Sequence, residues 1–408
     1  MKMRIKVILG AVVATLSAHA QPTIQVAPEQ EQPATSLTRE APVENALGVA
    51  QAPVGSAIGG YGELTLNAPF GDGAASQSST IDLRRVVLFF GHNFTERLRF
   101  YSELEIEHAV SSSEDQGEVE IEQAFLDGLV TRGLNLRGGV ILMPVGIVNV
   151  YHEPPTFNGV DRPDVDQFVV PSTWREPGIG IFGELTPTLR YQLYLVNGMN
   201  ANGFTAESAI REGHQEAQLA YAGDVGAVGR LDWEPHAGTV LGFSAYTATS
   251  SNHLPSSVGR VPVTLLEADA RFRRGGFSAR AELAFLFIGD ASELNTALAA
   301  MPDADTNALP VSSQSRGGYV EAAYDLLRLL APERSESLTL FGRFDYVDTQ
   351  ADVPAGFDAR KEFVRYTPTF GLTFKPIPQI ALKLDYRRHE FGAGPGYNEI
   401  ASAITWMF

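Results

Sequence analysis

Hydrophobic and polar residues alternate along most of this chain. In the segment 97–108, RLRFYSELEIEH, the odd positions are mostly charged and the even positions are mostly apolar. A period of two predicts a β-strand whose two faces meet different surroundings. The same alternation returns in other segments, at 118–125, 263–272, 277–288, 338–346, 364–374, 380–389 and 399–408.

Sixteen such segments can be counted, and the connections between them alternate in length. Short turns follow nearly all of the even-numbered segments, whereas longer loops follow the odd-numbered ones, the longest at 143–177, 199–225 and 289–316. The segments begin near Ile58, Ile81, Arg97, Glu118, Leu134, Gly178, Leu189, Gly226, Gly238, Val263, Phe277, Gly317, Ser337, Phe363, Ile380 and Asn398.

This layout predicts an all-β fold, a closed antiparallel transmembrane β-barrel of sixteen strands over residues 58–408. An even strand number with short turns at one end and long loops at the other is typical of outer-membrane barrels. Closure also leaves no backbone edge unpaired in lipid. A soluble β-sandwich or solenoid would alternate as well, but neither requires the connection lengths to alternate.

The N-terminus predicts export. Lys2, Arg4 and Lys6 precede a short apolar run, and Ala18-His19-Ala20 supplies the small residues of a cleavage site. Residues 1–20 are therefore predicted to be a signal peptide that is cleaved after Ala20. Residues 21–57 are rich in Pro, Gln, Ala and Glu without a periodic pattern, which predicts a flexible periplasmic leader.

Composition excludes several classes of site. The chain has no cysteine, which rules out disulfides, cysteine-bound zinc and thiol nucleophiles, and its net charge of −17 argues against binding nucleic acid. The G-x-G-x-x-G match at 178–183 is not followed by a helical pattern, so it does not indicate a nucleotide site. The eight histidines show no ligand spacing. We therefore predict no catalytic residues, no cofactor and no metal site, and we do not expect an enzyme.

Several segments resemble the phosphate-selective porin (O and P type) superfamily. They are GGYGELTL (59–66), IDLRRVVLFFGHNF (81–94), RLRFYSELEIEHA (97–109), GEVEIEQAFLD (117–127) and PVGIVNVYHEPPTFNGVDRP (144–163). The resemblance implies a sixteen-stranded, trimeric outer-membrane channel that is either general or anion-preferring. The run of lysines and the dense arginine ladder of that family are absent here, so phosphate remains only one candidate solute.

The loop 143–177 is the predicted constriction of the pore. Its six prolines would stiffen it, and a charged loop folded into the lumen would set the pore size and the local field. The alternative is a loop that merely caps the outer surface. The candidate constriction residues are Tyr151, His152, Glu153, Asp161, Arg162, Asp164, Asp166, Arg175 and Glu176.

Charged residues of both signs are predicted to line the pore. The acidic candidates on strands three and four form either a cation-attracting wall or a calcium site; they are Glu103, Glu105, Glu107, Glu118, Glu120 and Glu122. The basic candidates could instead pair with nearby acidic residues; they are Arg97, Arg99, Arg230, Arg271, Arg273, Arg280, Arg343, Arg365, Lys383 and Arg387. We expect weak selectivity that drifts toward cations as salt is lowered.

The last strand ends on an aromatic residue, and Trp406 and Phe408 lie on one of its faces. These two residues are a candidate insertion signal for the barrel-assembly machinery.

The predicted function is a porin for passive diffusion of small hydrophilic solutes and ions, including phosphate or other anions, in the outer membrane of a Gram-negative bacterium. The predicted partners are outer-membrane lipid and two further copies of the chain. The alternatives are a phospholipase-like hydrolase embedded in the barrel, and a non-conducting structural or adhesive barrel.

Overall fold

A computed structural model describes residues 54–112, 117–251, 254, 258–301 and 309–408. The predicted signal peptide and nearly all of the predicted leader lie outside the described residues. The strands are β1 (Gly55–Phe70), β2 (Thr80–Asn93), β3 (Leu98–Glu107), β4 (Val119–Thr131), β5 (Leu134–Leu142), β6 (Arg175–Thr186), β7 (Leu189–Asn197), β8 (Val225–His236), β9 (Thr239–Thr249), β10 (Pro262–Arg274), β11 (Phe277–Ile288), β12 (Gln314–Asp325), β13 (Ser337–Asp352), β14 (Val364–Ile377), β15 (Ile380–Phe391) and β16 (Tyr397–Met407).

The strands form one closed antiparallel barrel, so the predicted fold is confirmed. Each strand pairs with its sequence neighbours, and β1 closes the barrel against β16, with Gly62 opposite Trp406. Beyond β16, the backbone N–H and C=O of Phe408 exchange hydrogen bonds of 2.8 and 2.9 Å with Gly60. The terminal residue therefore takes part in closing the barrel.

The two faces of the strands differ as the alternation predicts. Large apolar residues such as Ile179 and Phe370 are 66% and 61% exposed on the outer face. The main cluster of buried apolar side chains combines inward residues of the strands with residues of the loop between β5 and β6. The interior is thus filled by a folded loop as well as by the wall.

Several strand pairs contain register irregularities, and two β-bulges matter for the interior face. In the β1–β2 pair, Glu63 faces Arg85 while Leu64 faces Leu83, so Arg84 is an extra residue. In the β3–β4 pair, Glu103 faces Gln123 while Leu104 faces Ile121, which makes Glu122 the extra residue. A bulge places two consecutive residues of one strand opposite one residue of its neighbour.

Helices are short in the described part of the chain. They are α1 (Val165–Phe168), α2 (Ala291–Ala299) and α3 (Leu326–Leu330), with 3-10 turns at 72–74, 154–156, 201–203, 211–213 and 361–363. None of these helices combines the length and the apolar character needed to cross a membrane. Asp325 caps α3 by accepting a hydrogen bond from the Leu327 N–H, at 3.1 Å, and the helix lies in the even-numbered connection that the sequence already showed to be longer than a turn.

Candidate functional site

Backbone N–H groups of the loop 143–174 donate to carboxylates on three separate strands. Ile147 N–H donates to Glu282 of β11 at 3.1 Å. Val160 N–H donates to Asp385 of β15 at 2.6 Å, and the Asp164 N–H donates to Asp345 of β13 at 3.1 Å. Because buried backbone groups need partners, these wall carboxylates hold the loop inside the ring of strands.

Basic residues of the wall bind the carbonyl groups of the same loop. Four of the predicted pore-lining residues donate to loop carbonyl oxygens. The pairs are Arg230 to Gly146 at 3.3 Å, Arg280 to Thr156 at 3.0 Å, Arg343 to Asp161 at 3.2 Å and Lys383 to Gly159 at 2.8 Å. The loop backbone is therefore satisfied by wall acids at its N–H groups and by wall bases at its carbonyl groups.

Asp161 joins the loop to two parts of the wall. Its carboxylate lies 2.6 Å from Arg84 of β2 and also pairs with Arg387 of β15. Burial alone would raise the pKa of Asp161, but Arg387 and Arg84 outweigh it and hold this pKa well below its usual range. Asp161 is thus a charged tether between strands that lie on either side of the closing pair β1–β16.

Apolar packing completes the fixation of the loop. Trp174 is fully buried and meets Tyr246 of β9 edge-on, with ring centroids 4.7 Å apart. Val160 packs with Ala401 and Ala403 of β16. The loop is therefore packed like a small core against the wall, rather than extending over the outer surface.

A polar cavity of about 490 Å³ remains between this loop, strands β2–β4 and the loop 198–224. Charged residues of both signs dominate its lining. They are Arg84, Arg85, Glu105, Glu107, Glu118, Glu120, Asp161, Arg162, Arg175, Arg211, Glu212, His214 and Glu216. We call this space the charged cavity.

Ion pairs organise part of the charged cavity. Arg175 lies 2.5 Å from Glu120 and 3.0 Å from Glu216, and His214 contacts Glu216 at 2.9 Å. Arg162 donates to the Thr173 hydroxyl at 2.9 Å. Burial and the nearby Arg85 lower the pKa of Arg162 to about 10, so it keeps its charge at neutral pH.

Two loop carboxyls carry less charge than the sequence suggests. Burial raises the pKa of Glu153 to about 8 and that of Asp166 to about 7. The surroundings of Asp166 include Glu282, Arg162, Arg343 and Asp345. The acidic character of the loop is therefore weaker near neutral pH than a count of Asp and Glu implies.

The predicted acidic wall divides into two environments. Glu105, Glu107, Glu118 and Glu120 line the charged cavity, although Glu118 lies just before β4 rather than within it. Glu103 and Glu122 are 1% and 0% exposed, so they do not face water as the alternation suggested. Their surroundings are aromatic. The pairs Tyr61–Phe89, Phe89–Tyr101 and Tyr101–Phe125 have ring centroids 5.4, 6.2 and 5.4 Å apart.

Most predicted basic residues pair with acids instead of facing an open lumen. Arg97 and Arg273 are exceptions to the inward prediction, since both are exposed close to strand ends. Five of these residues form such pairs, at Arg230–Asp269 (2.5 Å), Arg271–Asp232 (3.2 Å), Arg343–Asp345 (2.7 Å), Arg365–Glu207 (3.4 Å) and Arg387–Asp385 (3.2 Å).

Three further predicted residues contact the wall or the second loop, 198–224. Tyr151 lies under the guanidinium of Arg271, 5.6 Å from its ring centroid. Asp164 accepts from the Thr367 hydroxyl at 2.7 Å, and Glu176 accepts from the Gln215 N–H at 3.0 Å.

Sequence reasoning missed six titratable residues of the cavity, which are Arg84, Arg85, Arg211, Glu212, His214 and Glu216. Consecutive arginines cannot both face inward in a regular strand, and only the bulge at Arg84 permits it. The length of the loop 198–224 was its only distinguishing feature in the sequence, and length does not indicate which of its residues enter the cavity.

Comparison with known proteins gives one close relative and a shared fold. No family model matches the chain, so the resemblance to phosphate-selective porins has no support from that comparison. A protein of Aquifex aeolicus (strain VF5), described as uncharacterized, is 36% identical over 364 residues, which cover 88% of this chain and 81% of that protein.

Solved structures match the barrel at low identity. OmpF of Salmonella typhi in complex with daunomycin has a TM-score of 0.58 at 12% identity, covering 86% of this chain and 97% of that one. The outer membrane channel DcaP of Acinetobacter baumannii has a TM-score of 0.55 at 13% identity, covering 88% and 98%. The loop L8 deletion mutant of OmpT, an outer membrane protein of Vibrio cholerae, has a TM-score of 0.54 at 8% identity, covering 88% and 100%. The chain therefore belongs to the same family as the Aquifex aeolicus protein, and its barrel has the fold of outer-membrane porins.

Proposed function

We propose that this protein is an outer-membrane channel for the passive diffusion of small hydrophilic solutes and ions. The observation that carries this proposal is the charged cavity, an interior polar space enclosed by β2–β4 and two loops. An apolar outer face and a charged interior suit a barrel that crosses lipid and conducts water. DcaP, which has the same fold, is described as an outer membrane channel.

The charged cavity is the proposed narrow part of the route. Its Glu and Asp side chains outnumber its arginines, and the arginines Arg84 and Arg175 are already paired with Asp161 and Glu120. Charges at the narrowest part of a pore decide its selectivity. We therefore infer a general channel with a weak preference for cations in dilute salt, rather than a phosphate-specific one.

Three further assignments belong to the same proposal. The protein is exported with residues 1–20 removed and is inserted through its C-terminal strand, where Phe408 pairs with Gly60. It assembles as a homotrimer. An apolar groove on the outer wall supports this assembly; it includes the exposed residues Leu193, Leu231 and Phe243 of β7, β8 and β9. OmpT of Vibrio cholerae has been solved in a trimer form.

Single-channel recording in planar bilayers tests the proposal. Purified protein should insert in steps of equal conductance, and the reversal potential in a salt gradient should show weak cation preference that grows as salt is lowered. Three equal closing steps per insertion would support the trimer. A barrel that inserts without conductance would contradict the channel and favour a structural or adhesive role.

A further inference from the structure

Three buried side chains from three separate segments meet where the loop 143–174, which we call the constriction loop, contacts strands β3 and β4. Glu103 belongs to β3, Glu122 is the bulge residue of β4 and His152 belongs to the loop; they are 1%, 0% and 2% exposed. One atom of each, a carboxylate oxygen or an imidazole nitrogen, lies within 4.8 Å of the other two. We call these residues the Glu–Glu–His cluster.

Each residue of the cluster has one side-chain atom that contacts a neighbouring group. Tyr101 donates to Oε1 of Glu103 at 2.6 Å, and Tyr61 donates to Oε2 of Glu122 at 3.4 Å. Nδ1 of His152 lies 3.1 Å from the Asn149 carbonyl oxygen, to which only a protonated Nδ1 can donate. Nε2 is therefore the nitrogen with a free lone pair.

The second atoms have no hydrogen-bond partner among the described residues. They are Oε2 of Glu103, Oε1 of Glu122 and Nε2 of His152. Nε2 lies 3.5 Å from Oε1 of Glu122. Two ligands of a tetrahedral ion at about 2.1 Å are separated by roughly 3.4 Å, which is close to this distance. Buried carboxylates without a counter-charge are costly.

We propose that the Glu–Glu–His cluster binds a divalent first-row transition-metal ion, with Zn²⁺ as the best fit, and that this ion fastens the constriction loop to strands β3 and β4. Zinc accepts imidazole and carboxylate ligands together, whereas calcium takes a larger set of oxygen ligands. A metal-bound histidine usually donates its other ring N–H to a carbonyl or a carboxylate. The contact between His152 and Asn149 supplies this arrangement.

Neighbouring carboxyls could complete the coordination. Glu153 follows His152 in the loop, and its Oε2 also lacks a hydrogen-bond partner within the described segments. Glu105 adjoins Glu122 and lines the charged cavity, which gives an ion a polar path to the cluster. This inference concerns a structural site in the wall and does not depend on conductance.

Metal analysis of the full barrel tests the proposal. Folded protein in detergent is stripped with a chelator, refilled with ZnCl₂, MnCl₂ or CaCl₂, and its metal content is measured by mass spectrometry. We expect close to one zinc per barrel and a higher unfolding temperature with zinc than with calcium. No bound metal would overturn the proposal, because shared protons would then account for the unpaired carboxyl oxygens. A site that takes calcium alone would also overturn it, because the ligands would then not select a transition-metal ion.

Variants locate the ion. His152→Ala should lose the zinc and the stabilisation by zinc. The matched control is His389→Ala, which removes a histidine that lies 2.9 Å from Glu399 but belongs to no group of three ligands among the described residues; this variant should keep both. Retention of zinc by His152→Ala would contradict the assignment.

Two measurements keep the test decisive if His152→Ala does not fold. Tyr101→Phe keeps the aromatic ring and removes only the hydroxyl that holds Glu103, so zinc affinity should fall by about 10-fold to 100-fold. X-ray absorption at the zinc edge of the wild-type barrel should give only nitrogen and oxygen ligands, with the scattering of a single imidazole. An absorption spectrum with two imidazoles would also contradict the proposed ligand set.

Discussion

The glutamates of β3 and β4 occupy two environments that their sequence does not distinguish. Glu107 and Glu120 line the charged cavity beside arginines, whereas Glu103 and Glu122 are buried among aromatic rings and beside His152. The difference comes from the loop 143–174, which covers one part of the wall and leaves another open to the charged cavity. Identical side chains on neighbouring strands therefore line a polar cavity in one case and lie beneath a loop in the other.

Deletion of the loop should expose Glu103 and Glu122 as well as Glu107 and Glu120, and this change has the largest expected effect. Replacing residues 146–172 by a short Gly-Ser linker opens the cavity toward the rest of the lumen. The single-channel conductance should increase several-fold, because the loop that β11, β13 and β15 hold inside the barrel would be gone. An unchanged conductance would place the narrowest part of the route elsewhere.

Loss of the Asp161 tether should weaken the covered region without opening it fully. Asp161→Asn leaves Arg84 and Arg387 without their shared carboxylate, and because Asp161 and Arg84 are only partly buried, the loss should cost about 1–2 kcal/mol of unfolding free energy. Urea titration of the barrel in detergent measures the change. Asp82→Asn is the control, since it removes an exposed contact with His108 at 2.9 Å and should cost less than about 1 kcal/mol. Equal losses in the two variants would argue against the tether.

The covered region should also respond to pH through Asp166. Its pKa is raised to about 7 by burial, so the folded state holds a proton that the unfolded chain releases near pH 4. The stabilising contribution is complete below the unfolded pKa and is lost as pH rises through about 7. Asp166→Asn should flatten the fall in unfolding temperature between pH 5 and pH 8, both values chosen to bracket about 7. A slope equal to that of the wild type would assign the pH response to another group.

The strands and their closure could be predicted from the sequence. A two-residue period on every strand indicates a sheet with one polar and one apolar face, and a closed barrel is the arrangement that places all the polar faces inside. The bulges could not be predicted. Arg84-Arg85 and Glu122-Gln123 break the period in a way that also fits a strand end, and only the register with β1 and β3 shows that consecutive residues turn inward. Burial of Glu103 could not be predicted either, since it depends on where a loop of separate sequence folds back. Gly62 is a smaller example. A Cβ there would lie 2.5 Å from the Trp406 ring, so its role depends on the far end of the chain.

Reversal potentials of two matched glutamate variants test the central claim most directly. One variant neutralises the cavity residues with Glu107→Gln, Glu118→Gln and Glu120→Gln, and the other neutralises the covered residues with Glu103→Gln and Glu122→Gln. In a tenfold salt gradient at low ionic strength, where screening lengths reach about 30 Å at 0.01 M, the cavity variant should shift the reversal potential toward anions by several millivolts. The covered variant should leave the potential unchanged and alter only stability and metal content. A shift in the covered variant, or none in the cavity variant, would contradict the account that the charged cavity is the route of permeation.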